Sequence, residues 1–298
     1  MQSQYSFKGV TSALPTPFLN KKVDYTSLSK LVEFQLKNGI SGFVVNGTTA
    51  ESPTLSWEEV QKIYARVRET SGARVPIILG TGSNSTEQTI ETTKRAEGLG
   101  ADAALVVVPY YNKPPQRGLV AHFSEVAQNT KLPIILYNVP GRTITGMNVE
   151  TITELAKVKN IFAIKEASGD IDFDKNLKKA LPSEFVMLSG DDPTYIEFLQ
   201  LGGSGLISVM SNAISAACAR WTSLAFEKKW DEAETDFAKY KNLIRLMYVE
   251  ANPIPLKWML FKMGLFASAE MRLPLVSLDE KFHLEIMNEL KKLEIILT

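Results

Sequence analysis

Eight short apolar or β-branched runs alternate with segments of helical spacing, several of the runs are nearly all apolar, and no nucleotide-binding loop follows the first of them. These three observations predict the α/β class and, within it, a (β/α)8 (TIM) barrel with a C-terminal helical appendage. The runs are Gly9 to Thr16, Gly42 to Asn46, Ile77 to Gly80, Ala104 to Pro109, Ile134 to Asn138, Ile161 to Glu166, Phe185 to Ser189 and Leu206 to Val209. Between them, Tyr25 to Asn38, Ser56 to Ser71, Thr86 to Leu99 and Asn148 to Ala156 carry apolar residues at helical spacing. Glycine stops follow at Lys37-Asn38-Gly39 and Gly98-Leu99-Gly100. Runs such as Leu105-Val106-Val107-Val108 and Ile134-Ile135-Leu136 suit strands covered on both faces of a parallel sheet. An open doubly wound sheet is the competing architecture and usually carries a glycine-rich phosphate loop. Gly80-Thr81-Gly82 is only a fragment of one.

After about residue 224 the strand signals stop. Helical patterns cover Phe226 to Val249, Pro255 to Met263 and Glu280 to Leu297. Asn252-Pro253-Ile254-Pro255 breaks the first from the second, because proline disfavours helix in the residue before it. Arg272-Leu273-Pro274-Leu275 sets off the last. The expected organisation is a barrel domain over residues 1–224 and a helical region over 225–298.

The 298 residues, 45% of them apolar, suffice for a large core. Lys+Arg and Asp+Glu are both 33, a net charge of zero, which argues against nucleic acid or an anionic membrane as partner and leaves a small molecule as the expected one. Apolar stretches such as Ala103 to Val108 fall short of the ~20 residues a membrane helix needs. Met1 to Lys8 shows no signal-peptide core, so cytoplasmic residence is expected. Cys218 is the only cysteine, which excludes an intramolecular disulfide. The only histidines, His122 and His283, have no partner at a ligand spacing, so metal-free chemistry is expected. His122 falls in a helical pattern with Leu119, Val120, Phe123 and Val126 and reads as a surface or packing residue.

Chemistry in such a barrel gathers at the C-terminal ends of strands. Four runs end in polar residues: the second continues Asn46-Gly47-Thr48-Thr49, the fourth Tyr110-Tyr111-Asn112, the fifth ends Tyr137-Asn138 and the sixth Lys165-Glu166. Lys165 follows Ile161-Phe162-Ala163-Ile164, where a lysine without a task is costly. A free lysine, pKa ~10.4, is neutral in about one molecule in 2,500 at pH 7. Desolvation that lowers this by ~2 to 3 units raises the nucleophilic fraction by roughly two orders of magnitude or more. Strand alternation puts Lys165 on the face of Ile161 and Ala163, opposite Glu166, so Glu166 is not its expected partner. Taken alone, Lys165 also fits a salt-bridged lysine at a strand end. A Schiff base needs a proton donor and acceptor, and Tyr137, on the neighbouring strand, is the natural candidate, with Thr48 and Tyr111 as further hydroxyls; each tyrosine singly also fits core packing. Arg142, in the loop Val139-Pro140-Gly141-Arg142-Thr143, is either a bidentate carboxylate clamp or a solvated loop residue.

Six segments carry a resemblance over nearly the whole chain: Gly47-Thr48-Thr49-Ala50-Glu51-Ser52, Pro109 to Pro114, Tyr137 to Thr143, Ile164 to Asp170, Ser189-Gly190-Asp191-Asp192 and Asn252 to Lys257. In this order they resemble the signature segments of the dihydrodipicolinate synthase family of pyruvate-dependent class I aldolases, which includes N-acetylneuraminate lyase. The resemblance implies condensation of pyruvate with aspartate semialdehyde in lysine and diaminopimelate biosynthesis, with no cofactor beyond the lysine imine. By position, Lys165 would form the imine, Tyr137 would donate and accept protons, and Thr48 and Tyr111 would complete a relay, Tyr111 reaching in from a neighbouring subunit. Thr49 would hold the pyruvate carboxylate, Arg142 the carboxylate of aspartate semialdehyde, and Gly190 and Ile207 would line the site. The resemblance also implies a homo-oligomer, commonly a dimer of dimers. The remaining alternatives are another aldehyde partner, as in N-acetylneuraminate lyase or a keto-deoxy sugar acid aldolase, and a non-catalytic barrel that binds a keto acid.

Two departures stand out. Ala50 replaces the glycine usual in the family, which could alter the turn after the threonine pair. The positions matching the family's lysine-binding pocket are Ser52, Pro53, Trp57, Val60, Asn84, Gln88 and Tyr110. Val60 and Gln88 stand where lysine-sensitive members carry histidine and glutamate, so weak or absent inhibition by lysine is expected.

Overall fold

The computed structural model describes residues 7–295. Eight parallel strands follow one another in chain order around a closed barrel. They are β1 Gly9–Ala13, β2 Gly42–Val45, β3 Ile77–Gly80, β4 Ala103–Val107, β5 Ile134–Asn138, β6 Ile161–Glu166, β7 Val186–Ser189 and β8 Gly205–Ser208. A helix follows each: α1 Tyr25–Lys37, α2 Trp57–Ser71, α3 Thr86–Gly98, α4 Gln116–Gln128, α5 Val149–Leu155, α6 Ile171–Ala180, α7 Tyr195–Gln200 and α8 Ser211–Phe226. The (β/α)8 barrel expected from the apolar runs is the observed fold. The first run stops at Ala13 rather than Thr16 because Pro15 has no N–H to give a ladder.

Two compact units divide the described chain. The first, residues 7–9 and 76–207, holds β3 to β7 and most of β8. Its strands are buried almost throughout, which is why they read as continuous apolar runs. The register between β5 and β6 shifts at Ile134/Ile135, so that Ile134 pairs with Ile161 and Ile135 with Ala163, skipping Phe162. Phe162 instead packs against the Phe7 ring, with centroids 4.9 Å apart. After this bulge Tyr137 pairs with Lys165 and Asn138 with Glu166.

The second unit, residues 10–75 and 208–295, pairs β1 with β2 (Thr11 with Gly42, Ala13 with Val44) and adds a short antiparallel ribbon of Phe18–Leu19 with Lys22–Val23. Asp24 caps α1, and Ser56 with Glu59 forms a capping box on α2. The C-terminal helices are α9 Trp230–Ala238, α10 Lys241–Leu246, α11 Ile254–Lys262 and α12 His283–Lys292. The helix expected over Phe226 to Val249 is therefore three pieces: the end of α8, then α9 and α10. Lys228 at φ 60° turns the chain out of α8. Trp221 of α8 is wholly buried, meets the Phe237 and Tyr240 rings edge-on and donates its indole N–H to Asp236 at 2.7 Å. The expected last helix begins as a 3-10 turn, Glu280–Phe282, and the end of that expectation, 296–297, lies outside the described residues, as does most of the expected polar N-terminus, 1–6. Among the described residues no helix is long and apolar enough to cross a membrane.

Candidate active site

Lys165 is 6% exposed near the C-terminal end of β6, and its Nζ lies 4.2 Å from the centroid of the Tyr137 ring. The β5–β6 register alone would bring the two side by side. Tyr137 is itself buried. Gly190, just past β7, explains how the lysine stem fits. A Cβ there would stand 2.7 Å from Lys165 Cε, 2.9 Å from Lys165 Cγ and 2.6 Å from Ala167 Cβ, so any side chain would displace the lysine.

Glu166 points away from this pair into hydrogen bonds of its own. Asn138 Nδ2–H donates to one carboxylate oxygen at 2.7 Å and the Ser168 N–H to the other at 2.6 Å. Burial pushes the Glu166 carboxyl above its ordinary range, against the pull of those donors. Asn138 in turn accepts the Met147 N–H at 2.9 Å, which ties the loop after β5 to the ends of both strands. Asp174 of α6 is also buried, and burial, together with the carboxylates of Glu166, Asp170 and Asp191, pushes it up to about 7.

Thr48 and Thr49 lie in a 3-10 turn, Thr48–Ala50, shortly after β2. Ala50 takes helical backbone in this turn, and the left-handed position falls to Glu51, at φ 57°. The departure from glycine at Ala50 therefore imposes no strain. Thr49 is buried, and Asn252 Nδ2–H donates to its Oγ1 at 3.0 Å. Ile207 is buried in β8.

Tyr111 is 86% exposed with φ 74°, in the loop after β4, and so is not part of its own chain's core. Arg142 is exposed in the short helix Pro140–Thr143. Of the positions matching the lysine pocket, Val60 is buried in α2, Ser52 and Trp57 are half-buried, and Pro53 is exposed. In the other unit, Gln88 is exposed and accepts from Ser83 Oγ at 3.1 Å, Tyr110 is exposed, and the Asn84 carbonyl accepts from Asn112 Nδ2 at 2.8 Å. His122 takes the packing role: it is buried, 2.9 Å from Thr86 Oγ1 through Nδ1, and burial pushes it down to about 4, neutral at pH 7.

Asn252 to Lys257, one of the six signature segments, holds two residues with no role expected from the sequence. Asn252 reaches Thr49, and Lys257, fully buried in α11, forms a 2.7 Å ion pair with the equally buried Glu51. A lysine inside Ile254-Pro255-Leu256-Lys257-Trp258-Met259-Leu260 is the same signal that singled out Lys165, so it was there to be read. Among the described residues no group of three or more His, Cys, Asp or Glu side chains is placed to hold a metal ion.

A model of the dihydrodipicolinate synthetase family matches residues 6–293. The chain is 54% identical over 291 residues to the 4-hydroxy-tetrahydrodipicolinate synthase of Bdellovibrio bacteriovorus, covering 98% of this chain and 99% of that one. It is 43% identical over 290 residues to the enzyme of the same name from Magnetococcus marinus, covering 97% and 99%. Among solved structures, the chloride-inhibited dihydrodipicolinate synthase of Acinetobacter baumannii, complexed with pyruvate, superposes with a TM-score of 0.95 at 43% identity, covering 98% of this chain and 100% of that one. The Thermotoga maritima dihydrodipicolinate synthase gives 0.95 at 40% identity, covering 97% and 99%.

Proposed function

The chain belongs to the dihydrodipicolinate synthetase family and acts as a 4-hydroxy-tetrahydrodipicolinate synthase, a lyase of lysine and diaminopimelate biosynthesis, and we propose that it does so through an imine between pyruvate and Lys165. The observation that carries this reading is the buried Lys165 amine held 4.2 Å from the Tyr137 ring, on a stem that only Gly190 leaves room for. A buried amine beside a phenol, with no carboxylate bonded to it among the described residues, is suited to attack a ketone.

In this reading the neutral Lys165 amine adds to C2 of pyruvate, and Tyr137 delivers the proton that lets the carbinolamine lose water. Loss of a methyl proton gives the enamine, whose carbon attacks the aldehyde of L-aspartate 4-semialdehyde. The amine of the condensed product then displaces Lys165 and closes the ring. The imine is the electron sink, so no external cofactor takes part. Thr48 and Tyr111 pass protons between Tyr137 and solvent, Thr49 and the backbone at Ile207 hold the pyruvate end, and Arg142 pairs with the carboxylate of the semialdehyde. Support comes from position: Thr48, Tyr111, Tyr137 and Lys165 each stand at or just beyond the C-terminal end of a barrel strand, where this fold does its chemistry.

Tyr111, exposed on its own chain, serves a neighbouring subunit, and the assembly is a homo-oligomer, a dimer of dimers. Residues 1–224 carry the catalysis and 225–298 form the helical region. The protein works in the cytoplasm. Ser52, Pro53, Trp57, Val60, Asn84, Gln88 and Tyr110 are the regulatory residues of this reading, and they confer weak or no response to lysine. Turnover of pyruvate with aspartate semialdehyde, compared with N-acetylmannosamine and sugar-derived aldehydes, tests the substrate. Arg142→Ala should raise the KM of the semialdehyde while pyruvate still forms the imine; equal or better turnover of a sugar aldehyde by the parent would refute the reading.

A further inference from the structure

Asn252 to Lys257 has no part in the chemistry above, yet it is anchored to the turn that carries the threonine pair. Glu51 closes that turn, donating its N–H to the Thr48 carbonyl at 3.1 Å while sitting in the left-handed region that side chains rarely adopt. Its carboxylate is gripped on both oxygens: Lys257 Nζ at 2.7 Å on one, the Arg272 N–H at 3.0 Å on the other. Thr16 Oγ1 donates to the Ala50 carbonyl at 2.8 Å, and the Thr54 N–H and hydroxyl both donate to the Glu51 carbonyl at 2.8 Å. The backbone of the turn is therefore fixed by buried and half-buried groups. Asn252, five residues before Lys257, adds a side-chain hydrogen bond to a threonine of the pair.

That contact has a direction. An amide N–H pointed at Thr49 Oγ1 occupies an oxygen lone pair, so the hydroxyl hydrogen is turned away from Asn252 and is available for donation elsewhere. A carboxylate offers only acceptors and requires such a hydrogen. We propose that Asn252 is a positioning residue for the pyruvate carboxylate, acting through Thr49: its amide fixes the Thr49 hydroxyl as a donor, on a turn that the Lys257–Glu51 pair holds still. The proposal rests on the reading that Thr49 holds that carboxylate.

Asn252→Asp tests it with nearly unchanged shape, because an ionised aspartate accepts where asparagine donates and draws the hydroxyl hydrogen toward itself. The expected result is a rise of about tenfold or more in the KM of pyruvate, with kcat within threefold and the KM of aspartate semialdehyde within twofold. Asn252→Ala carries the same test if the aspartate variant does not fold. A residue that serves only the fold would lower the active fraction, and so kcat, without moving the KM of pyruvate. Thr49→Val should raise that KM, and adding Asn252→Ala in its background should change it less than twofold further. A folded Asn252→Asp with an unchanged pyruvate KM, or full additivity of Asn252→Ala on Thr49→Val, overturns the positioning role while leaving Thr49 in place. An unchanged KM in Thr49→Val overturns the carboxylate reading and the proposal with it.

Discussion

Replacing Gly190 with alanine should cripple the enzyme without touching any reacting group. The new Cβ would stand 2.7 Å from Lys165 Cε and 2.9 Å from Cγ, against the roughly 3.5 to 4.0 Å at which carbon atoms rest in contact. The lysine stem must retreat by about 1 Å, and a misplacement of that size costs on the order of 10²-fold in rate. This corresponds to about 2.7 kcal/mol of transition-state stabilisation. Overpacking should cost the fold about 1 to 3 kcal/mol as well, less than would unfold most domains. Steady-state kcat/KM and the rate of a borohydride-trappable pyruvate adduct measure the effect, with denaturant unfolding as the check on folding. The same Cβ would meet Ala167 Cβ at 2.6 Å, so the Ala167→Gly/Gly190→Ala pair isolates the lysine contact: it should recover stability and remain slow. Activity within threefold of the parent in Gly190→Ala would refute the idea that the close approach at Gly190 sets the position of the nucleophile.

Tyr111→Phe should lower kcat by about 10²-fold with the pyruvate KM within threefold, because it removes a proton-transfer hydroxyl and no binding group; sedimentation of the same variant should show the parent's oligomer. Lys257→Met leaves Glu51 buried without its cation and should destabilise the fold by about 3 to 5 kcal/mol in denaturant unfolding. Asp174, pushed up to about 7 mainly by burial, holds its proton in the folded state where the unfolded chain, at about 3.9, has lost it. Its contribution is complete below about pH 4 and is lost as pH rises through 7, so Asp174→Asn should stabilise the protein by about 2 to 4 kcal/mol at pH 8 and by nothing at pH 4. L-Lysine at millimolar concentration should leave the rate within twofold, since Gln88 offers no carboxylate to an ammonium; strong inhibition in a steady-state assay would contradict this.

The barrel was legible because each strand is covered on both faces, which makes runs such as Ile134-Ile135-Leu136 nearly free of polar residues. Lys165 was legible by contrast with such a run. Its environment was not. The skipped residue at Phe162, which sets Tyr137 opposite Lys165, packs on the Phe7 ring, more than 150 positions away in sequence. The resemblance placed Gly190 in the site, but that its lack of a side chain seats the lysine stem shows only in three dimensions. Asn252 and Glu51 escaped for the same reason: the first bonds a residue 203 positions away, the second a lysine 206 positions away, and no local pattern records either. The break between α9 and α10 was missed because the amphipathic pattern runs through it, with Phe237, Leu243 and Ile244 all buried.

The central claim is that Lys165 is the amine that binds pyruvate, and reductive trapping addresses it directly. Borohydride added with pyruvate should leave a pyruvate-derived adduct, by mass spectrometry, on the peptide that carries Lys165, and no adduct when pyruvate is omitted. An adduct on another lysine, the buried Lys257 included, or no adduct at all with active enzyme, would contradict the account.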